Sequence, residues 1–341
     1  MAEQIKVVRT DRELECPGID QALRSYGARV VLLPDGISED RLIREVTDAH
    51  LLLMCYTPVT ARVIEHARKL KGIVKYGVGI DAIDITAARA RRIPVVNVPE
   101  YAEETVAEGA FAIMIALAKN LRPIIREMDQ EGWAWPTSQW LGSDIAGKTV
   151  GLIGAGKIGR SMARMAGKGF RARVLAYDPN VDAATLEQAG IEKRTDLNAM
   201  LAECDFVSVH SVLNPSTRHL IGREQFAAMK PSAVLINVSR GAIVDEAALV
   251  QALKEGTIAG AGLDVYSVEP LAKTGHPMSD LFEMDNVILF PHLTFYTQEA
   301  MQRLEEDTLA RCYEILEGRP VHIKSHDPRL TAQEHGVTFD V

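Results

Sequence analysis

Thr149-Val150-Gly151-Leu152-Ile153-Gly154-Ala155-Gly156-Lys157-Ile158-Gly159-Arg160 decides how the rest of the chain is read. It runs as a short apolar strand, a glycine turn and the start of a helix. Gly154, Gly156 and Gly159 fit the spacing G-x-G-x-x-G. In that pattern the first glycine permits a tight turn, the second lets backbone approach a pyrophosphate, and the third lets helix pack on strand. The unpaired N–H groups and positive dipole end of the helix then face the phosphate. Glycine turns also join strands to helices with no ligand at all. The deciding context is a second strand that ends in an acid roughly 20 residues on. Arg173-Val174-Leu175-Ala176-Tyr177-Asp178 provides it. The stretch reads as a dinucleotide cradle.

Downstream, apolar strands over 206–210, 233–238, 260–265 and 287–290 alternate with helical patterns over 182–189, 196–202, 223–229 and 246–255. With the two strands above, this makes a doubly wound parallel sheet of about six strands. Upstream, strands over 5–8, 29–33, 51–55, 72–76 and 94–98 alternate with helical stretches such as 40–47 and 61–70. The expected fold is therefore α/β, with two doubly wound parallel-sheet lobes and a ligand site in the cleft between them. Between the lobes, a run over 105–120 is apolar on most faces. Such a helix is buried, in a core or against another subunit, and is a candidate dimer element. Residues 122–147 are polar and hold Trp133, Trp135 and Trp140. They read as an interface arm or lid, or equally as a packed surface loop. A helix over 298–317 precedes a polar tail.

Composition sets the outer bounds. A chain of 341 residues suits two domains, and 47% hydrophobic and 25% charged residues are ordinary for a globular protein. A net charge of −8 argues against nucleic-acid binding, which needs clustered Lys and Arg. Cys16, Cys55, Cys204 and Cys312 form no C-x-x-C pair and read as reduced, mostly buried thiols. No metal is expected. Met1-Ala2-Glu3-Gln4 lacks a signal-peptide pattern, and no apolar run reaches membrane-spanning length, so a cytoplasmic location away from the membrane is the expectation.

Three segments place polar residues just past predicted strands: Asn237-Val238-Ser239-Arg240-Gly241, the stretch from Gly262 to Pro270, and Phe290-Pro291-His292. Strand carboxyl ends in such a sheet converge on the cofactor crevice, so Arg240, Glu269 and His292 can meet there. Each has a plainer reading. An Arg after a strand is ordinarily a solvated or paired charge, a Glu before Pro a loop residue, and His292 one of 9 histidines. In the upstream lobe, Gly77-Val78-Gly79 follows a strand and is a ligand loop or a simple turn.

In combination the segments resemble the D-isomer-specific 2-hydroxyacid dehydrogenases, over about residues 75–297. The motifs carrying the resemblance are Gly77-Val78-Gly79-Ile80-Asp81, Thr105-Val106-Ala107-Glu108, the glycine turn, the Asn237 and Asp264 segments, and Pro291-His292. The resemblance implies that Arg240 binds the substrate carboxylate and carbonyl, and that Glu269 pairs with His292 as proton donor. It gives the backbone N–H groups of Val78 and Gly79 to the substrate carboxylate. For the cofactor, it implies backbone contacts from Lys157 and Ile158 to the pyrophosphate, beside Gly154, Gly156 and Gly159. Asp178 would hold the adenosine ribose hydroxyls and repel a 2′-phosphate, favouring NAD over NADP. Val238, Ser239 and Asp264 are implied around the nicotinamide, Ser211, Val212 and Thr217 on the adenine side, with Thr105 a further contact.

The implied architecture is a Rossmann NAD-binding domain over 100–292 inserted in a flavodoxin-like substrate domain over 1–99 plus 293–341, in a homodimer. The implied reaction interconverts a small 2-keto acid and its D-2-hydroxy acid. The run Leu293-Thr294-Phe295-Tyr296-Thr297 departs from the small residues common after the histidine and is similar to the D-lactate and D-2-hydroxyisocaproate branch. There Phe295 is a pocket wall or a packed structural residue. Val212-Leu213-Asn214 replaces the usual Pro-Leu. With Val341 last, the chain is expected to lie apart from long phosphoglycerate dehydrogenases that carry a regulatory domain. An alternative from another class is an NAD-sensing, peptide-docking protein resembling the C-terminal-binding corepressors.

Overall fold

Continuous apolar runs, rather than alternating ones, are the mark of strands covered on both faces, and they form parallel sheets here. The computed structural model describes residues 4–339; the N-terminal reading at Met1–Glu3 and the last two residues of the tail lie outside them. By internal contacts the chain forms two compact units, Met1–Ala102 with Thr297–Val341, and Glu103–Tyr296.

In the first unit β1 (Lys6–Arg9), β2 (Arg29–Leu32), β3 (Leu51–Met54), β4 (Gly72–Lys75) and β5 (Val95–Asn97) pair in the order β2-β1-β3-β4-β5. All pairings are parallel. This is the flavodoxin-like order. In the second unit β6 (Thr149–Ile153), β7 (Arg173–Tyr177), β8 (Glu192–Arg194), β9 (Phe206–Val209), β10 (Val234–Asn237), β11 (Gly260–Leu263) and β12 (Val287–Leu289) pair in the order β12-β11-β10-β9-β6-β7-β8. The order reverses at β6, so the turn after β6 and the loop after β9 flank the switch point. The expected α/β class with two parallel lobes holds.

The sheet has seven strands rather than about six. The extra strand is β8, Glu-Lys-Arg, an edge strand with no apolar run to announce it. The joins between units fall at 102/103 and 296/297, where the sequence reading had 99/100 and 292/293. Arg303 Nε donates to the Tyr101 carbonyl at 2.8 Å, which keeps Tyr101 with the first unit. Leu293 N and Thr294 N donate to the Asp264 carboxylate at 2.8 and 3.1 Å, which keeps 293–296 with the second.

The apolar run near 105–120 forms the helix Glu103–Ala118. Ala107, Ala110, Phe111, Ile113, Met114 and Ala118 are buried with Val150, Leu152 and Ile236 in the core of their own unit. Gly262 lets the helix this close, since a Cβ there would lie 2.1 Å from Ile113 Cγ2. Most of its apolar surface therefore packs within the chain. The polar stretch that follows hides a helix, Leu121–Glu131, with no buried residue. Its Arg122 guanidinium donates to the carbonyls of Phe282, Met284 and Val287. Beyond it Trp133 and Trp135 are 58% and 72% exposed and touch edge to face, so these two are not packed under the surface.

The tail is more than a polar extension. β13 (Val321–Ile323) and β14 (Val337–Phe339) pair in parallel. Between them the buried Gln333 amide accepts from Val95 N at 2.7 Å and donates to Val95 O at 2.8 Å, along the outer side of β5. All four cysteines are buried and free. Among the described residues no helix is long and apolar enough to cross a membrane, and no group of His, Cys, Asp and Glu is arranged to hold a metal.

Candidate active site

The glycine turn after β6 is built by contact distances. Gly154 has φ +93°, and a Cβ on it would lie 2.6 Å from Ser211 N in the loop after β9. A Cβ on Gly159 would lie 2.4 Å from the Gly154 carbonyl oxygen. Both positions are closed to side chains. Gly156 differs: it is the N-cap of the helix Lys157–Arg164, and a Cβ there would meet nothing within 4 Å. That open space lies in front of the N–H groups that begin the helix, including those of Lys157 and Ile158. It leaves room for an anionic group at the start of the helix, where a side chain would intrude.

Asp178 ends β7 beside the turn. Its carboxylate accepts from Ala155 N and Asn180 N, both at 2.8 Å, so the turn and the acid are fixed to each other. Ser211 Oγ is buried and makes no hydrogen bond among the described residues, while Ser211 O accepts from Ser239 Oγ. An orphaned hydroxyl next to the turn and an open cradle over Gly156 both fit a bound dinucleotide. Thr217 is engaged within its own loop, donating to Val212 O at 2.7 Å and accepting from Asn214 N at 2.8 Å. Val212 beside it is exposed, and Thr105 is buried in the first turn of its helix.

The three polar segments come together at the carboxyl ends of β10, β11 and β12. His292 Nδ1 donates to Glu269 Oε2 at 2.9 Å, and Tyr266 N donates to Glu269 Oε1 at 3.0 Å. Burial raises the Glu269 pKa, but the hydrogen bond and charge of His292, the Tyr266 N–H and the Arg240 guanidinium together outweigh it. The net result holds the carboxyl below the usual range. Glu269 therefore stays ionised beside the imidazole. The Arg240 segment is pressed onto the Glu269 segment by Gly241, where a Cβ would lie 2.1 Å from the Tyr266 carbonyl carbon. Asn237 accepts from Ser239 N at 3.1 Å and donates to Arg240 O at 3.0 Å, closing the turn that carries Arg240. Val238 is buried under that turn.

His292 sits at φ +59°, a left-handed conformation uncommon for a side chain of its size. The following residues hold it there. Asp264 accepts from Leu293 N, Thr294 N and Thr294 Oγ1, and burial pushes its pKa up despite these bonds. Phe295 is buried and meets the His292 ring edge-on, with centroids 6.4 Å apart. Val78 and Gly79 belong to the first unit, past the end of β4, where Asn97 Nδ2 donates to Val78 O at 2.6 Å.

Several positioning groups escaped sequence reading. Tyr266 donates to the carbonyls of Leu263 and Phe290, tying the ends of β11 and β12 together. His276 joins the Glu269 loop through Val268 O at 3.0 Å and Met278 N at 3.1 Å. Nothing near His276 in sequence announces this. His210, below the glycine turn, lies 2.9 Å from Ser208 Oγ, and burial lowers its pKa to about 4. In the unfolded chain a histidine titrates near 6.5, so the unfolded state takes up this proton first as pH falls. Stability is thus expected to drop between pH 6.5 and about 4. Melting curves across that window should show a shallower slope for His210→Asn; an unchanged slope would remove His210 from the account.

Residues 111–294 match the family "D-isomer specific 2-hydroxyacid dehydrogenase, NAD binding domain". A glyoxylate reductase of Korarchaeum cryptofilum is 41% identical over 272 residues, covering 79% of this chain and 80% of that one. A D-3-phosphoglycerate dehydrogenase of Methanocaldococcus jannaschii is 36% identical over 302 residues, 88% of this chain. The chain spans only about half the length of that relative, 56%. Among solved structures, D-lactate dehydrogenase from Aquifex aeolicus complexed with NAD and lactic acid superimposes with a TM-score of 0.81 at 29% identity, covering 92% of this chain and 96% of that one. The motif geometry and these likenesses agree: the chain belongs to the D-isomer specific 2-hydroxyacid dehydrogenases and carries their NAD-binding domain.

Proposed function

We propose that the protein is an NAD-dependent oxidoreductase that interconverts a small 2-keto acid and its D-2-hydroxy acid. The observation that carries this reading is the His292–Glu269 hydrogen bond, set beside Arg240 at the sheet end that also bears the dinucleotide turn. NADH, when bound, supplies the hydride. His292, with Nδ1 committed to Glu269, delivers the proton to the carbonyl oxygen through Nε2. Arg240 offers a planar fork to the carboxylate and polarises the carbonyl. In the first unit, the N–H groups of Val78 and Gly79 are assigned to the substrate carboxylate. Lys157, Ile158, Asp178, Ser211, Val238, Ser239 and Asp264 are assigned to the cofactor, with Val212, Thr217 and Thr105 as lesser contacts. A partly exposed acid–base pair of this kind serves proton transfer, which favours the enzyme over a purely peptide-docking protein.

We also infer a cytoplasmic homodimer. Leu121, Ile125, Met128, Trp133, Trp135 and Leu141 are exposed apolar residues within one short stretch, and exposed apolar surface marks protein contacts. The test of function is a panel of pyruvate, glyoxylate and hydroxypyruvate with NADH. Oxidation of NADH by at least one is expected; none would sink the proposal. In the same assay Asp178→Asn, which removes the charge and keeps the shape, should raise the NADPH-to-NADH preference about tenfold. An unchanged ratio would take Asp178 out of cofactor selection.

A further inference from the structure

The carboxyl end of β4 holds a buried cation that the proposed chemistry has not used. Lys75 is 6% exposed, and its ammonium donates to Cys55 O and, at 3.2 Å, to Cys55 Sγ. It stands 5.3 Å from the centroid of the Tyr56 ring. Among the described residues no carboxylate lies within ion-pair reach of it. Asp11, past the end of β1, is occupied by Cys55 N, Tyr56 N, Thr57 N and the hydroxyls of Thr57 and Thr10. A buried ammonium without a carboxylate is costly, so its retention needs a reason.

Its position gives one. The side chain folds under Gly77, where a Cβ would lie 3.2 Å from Lys75 Nζ. Gly77 has φ +145° and opens the loop that contains Val78 and Gly79. In the same loop the Val78 carbonyl is already taken by Asn97 Nδ2. The loop thus has its carbonyl dipole neutralised on one side and a full positive charge beneath it. Both features raise the potential around its N–H groups and favour a negative ligand.

We propose that Lys75 is a specificity-determining residue that selects an anionic group, the carboxylate of the substrate, at the Val78–Gly79 loop. It acts by charge through the loop rather than by contact. This rests on the reading above that the loop binds substrate carboxylate. The decisive comparison is Lys75→Met with a charged and a neutral substrate, pyruvate and pyruvamide. KM for pyruvate should rise about tenfold or more, as expected for one charge removed at a few ångströms in a partly screened site. KM for pyruvamide and for NADH should stay within about twofold. The melting temperature should hold or rise, because an unpaired buried charge has gone. A structural role predicts the reverse: a lower melting temperature and equal losses for both substrates. That outcome overturns the proposal.

Oxalate, a non-reducible dianion, separates this from the reductase reading. At constant ionic strength it should raise the melting temperature of the wild type and not of Lys75→Met. If the wild type reduces no 2-keto acid but oxalate still discriminates, the reductase reading fails and the anion site stands. If oxalate shifts both proteins equally, the anion site fails.

Discussion

His292→Ala is expected to lower kcat/KM for 2-keto acid reduction by about 10²–10⁴-fold, the range that a lost general acid removes. NADH affinity should be unchanged, because the glycine turn and Asp178 lie at the ends of β6 and β7, several strands away from β12, which His292 follows. Alanine at φ +59° adds backbone strain to the loss of the proton donor. His292→Asn separates the two effects. Asparagine tolerates the left-handed conformation but cannot act as the acid. The alanine variant should lose turnover and some melting temperature, and the asparagine variant turnover alone. Fluorescence titration with NADH and a thermal melt complete the test. Retention of turnover by the asparagine variant would end the acid role of His292. Glu269 supports this role over a wide range of pH. It is held below the usual carboxylate range, so its pairing with His292 is kept above pH 4.5 and lost only as pH falls through the lowered value.

The second large effect separates two glycines of one motif. Gly154→Ala is expected to destabilise the fold by about 2–4 kcal/mol, through the positive φ and the collision with Ser211 backbone. The added Cβ would lie 2.6 Å from Ser211 N and 2.7 Å from Ser211 Cα, and backbone cannot rotate aside as a side chain would. NADH binding should weaken as well, since the turn shifts. Gly156→Ala should behave differently. Its Cβ meets nothing, so the melting temperature should stay within a degree or two, a change of under about 0.5 kcal/mol. It should still weaken NADH at least tenfold, because the methyl group fills the cradle. Equal melting temperatures for the two variants would contradict the distances. Unchanged NADH affinity in Gly156→Ala would move the pyrophosphate elsewhere.

How much of this was legible depends on the kind of signal each residue carries. Buried parallel strands announce themselves as apolar runs, and the turn after β6 announces itself by glycines that only close approach explains. β8 went unseen because an edge strand of Glu-Lys-Arg has no buried face to make it apolar. The helix Leu121–Glu131 was hidden for the same reason: none of its residues is buried, and its anchors are Arg122, bonded to distant carbonyls, and Arg126, paired with Asp285. The catalytic candidates were readable as converging strand-end residues, and the resemblance implied the Glu269–His292 pair, but the groups that position them were not readable. Tyr266, His276 and Asp264 act through bonds to loops 8 to 30 residues away, and no local spacing encodes such partners. Asp264 shows the limit best: nothing beside it in sequence announces that its carboxylate also accepts from the backbone that follows His292.

The Gln333 amide bears on a different matter, how the protein behaves at high concentration. A sheet margin with exposed N–H and C=O groups is a template on which another chain can add a strand, and repeated addition makes fibrils. β5 is such a margin, and Gln333 occupies the donor and acceptor of Val95 with one planar side chain. Trimming the polar tail to simplify the protein would uncover that margin. The segment that looks most dispensable in sequence is the one that closes one of the two edges of the first sheet.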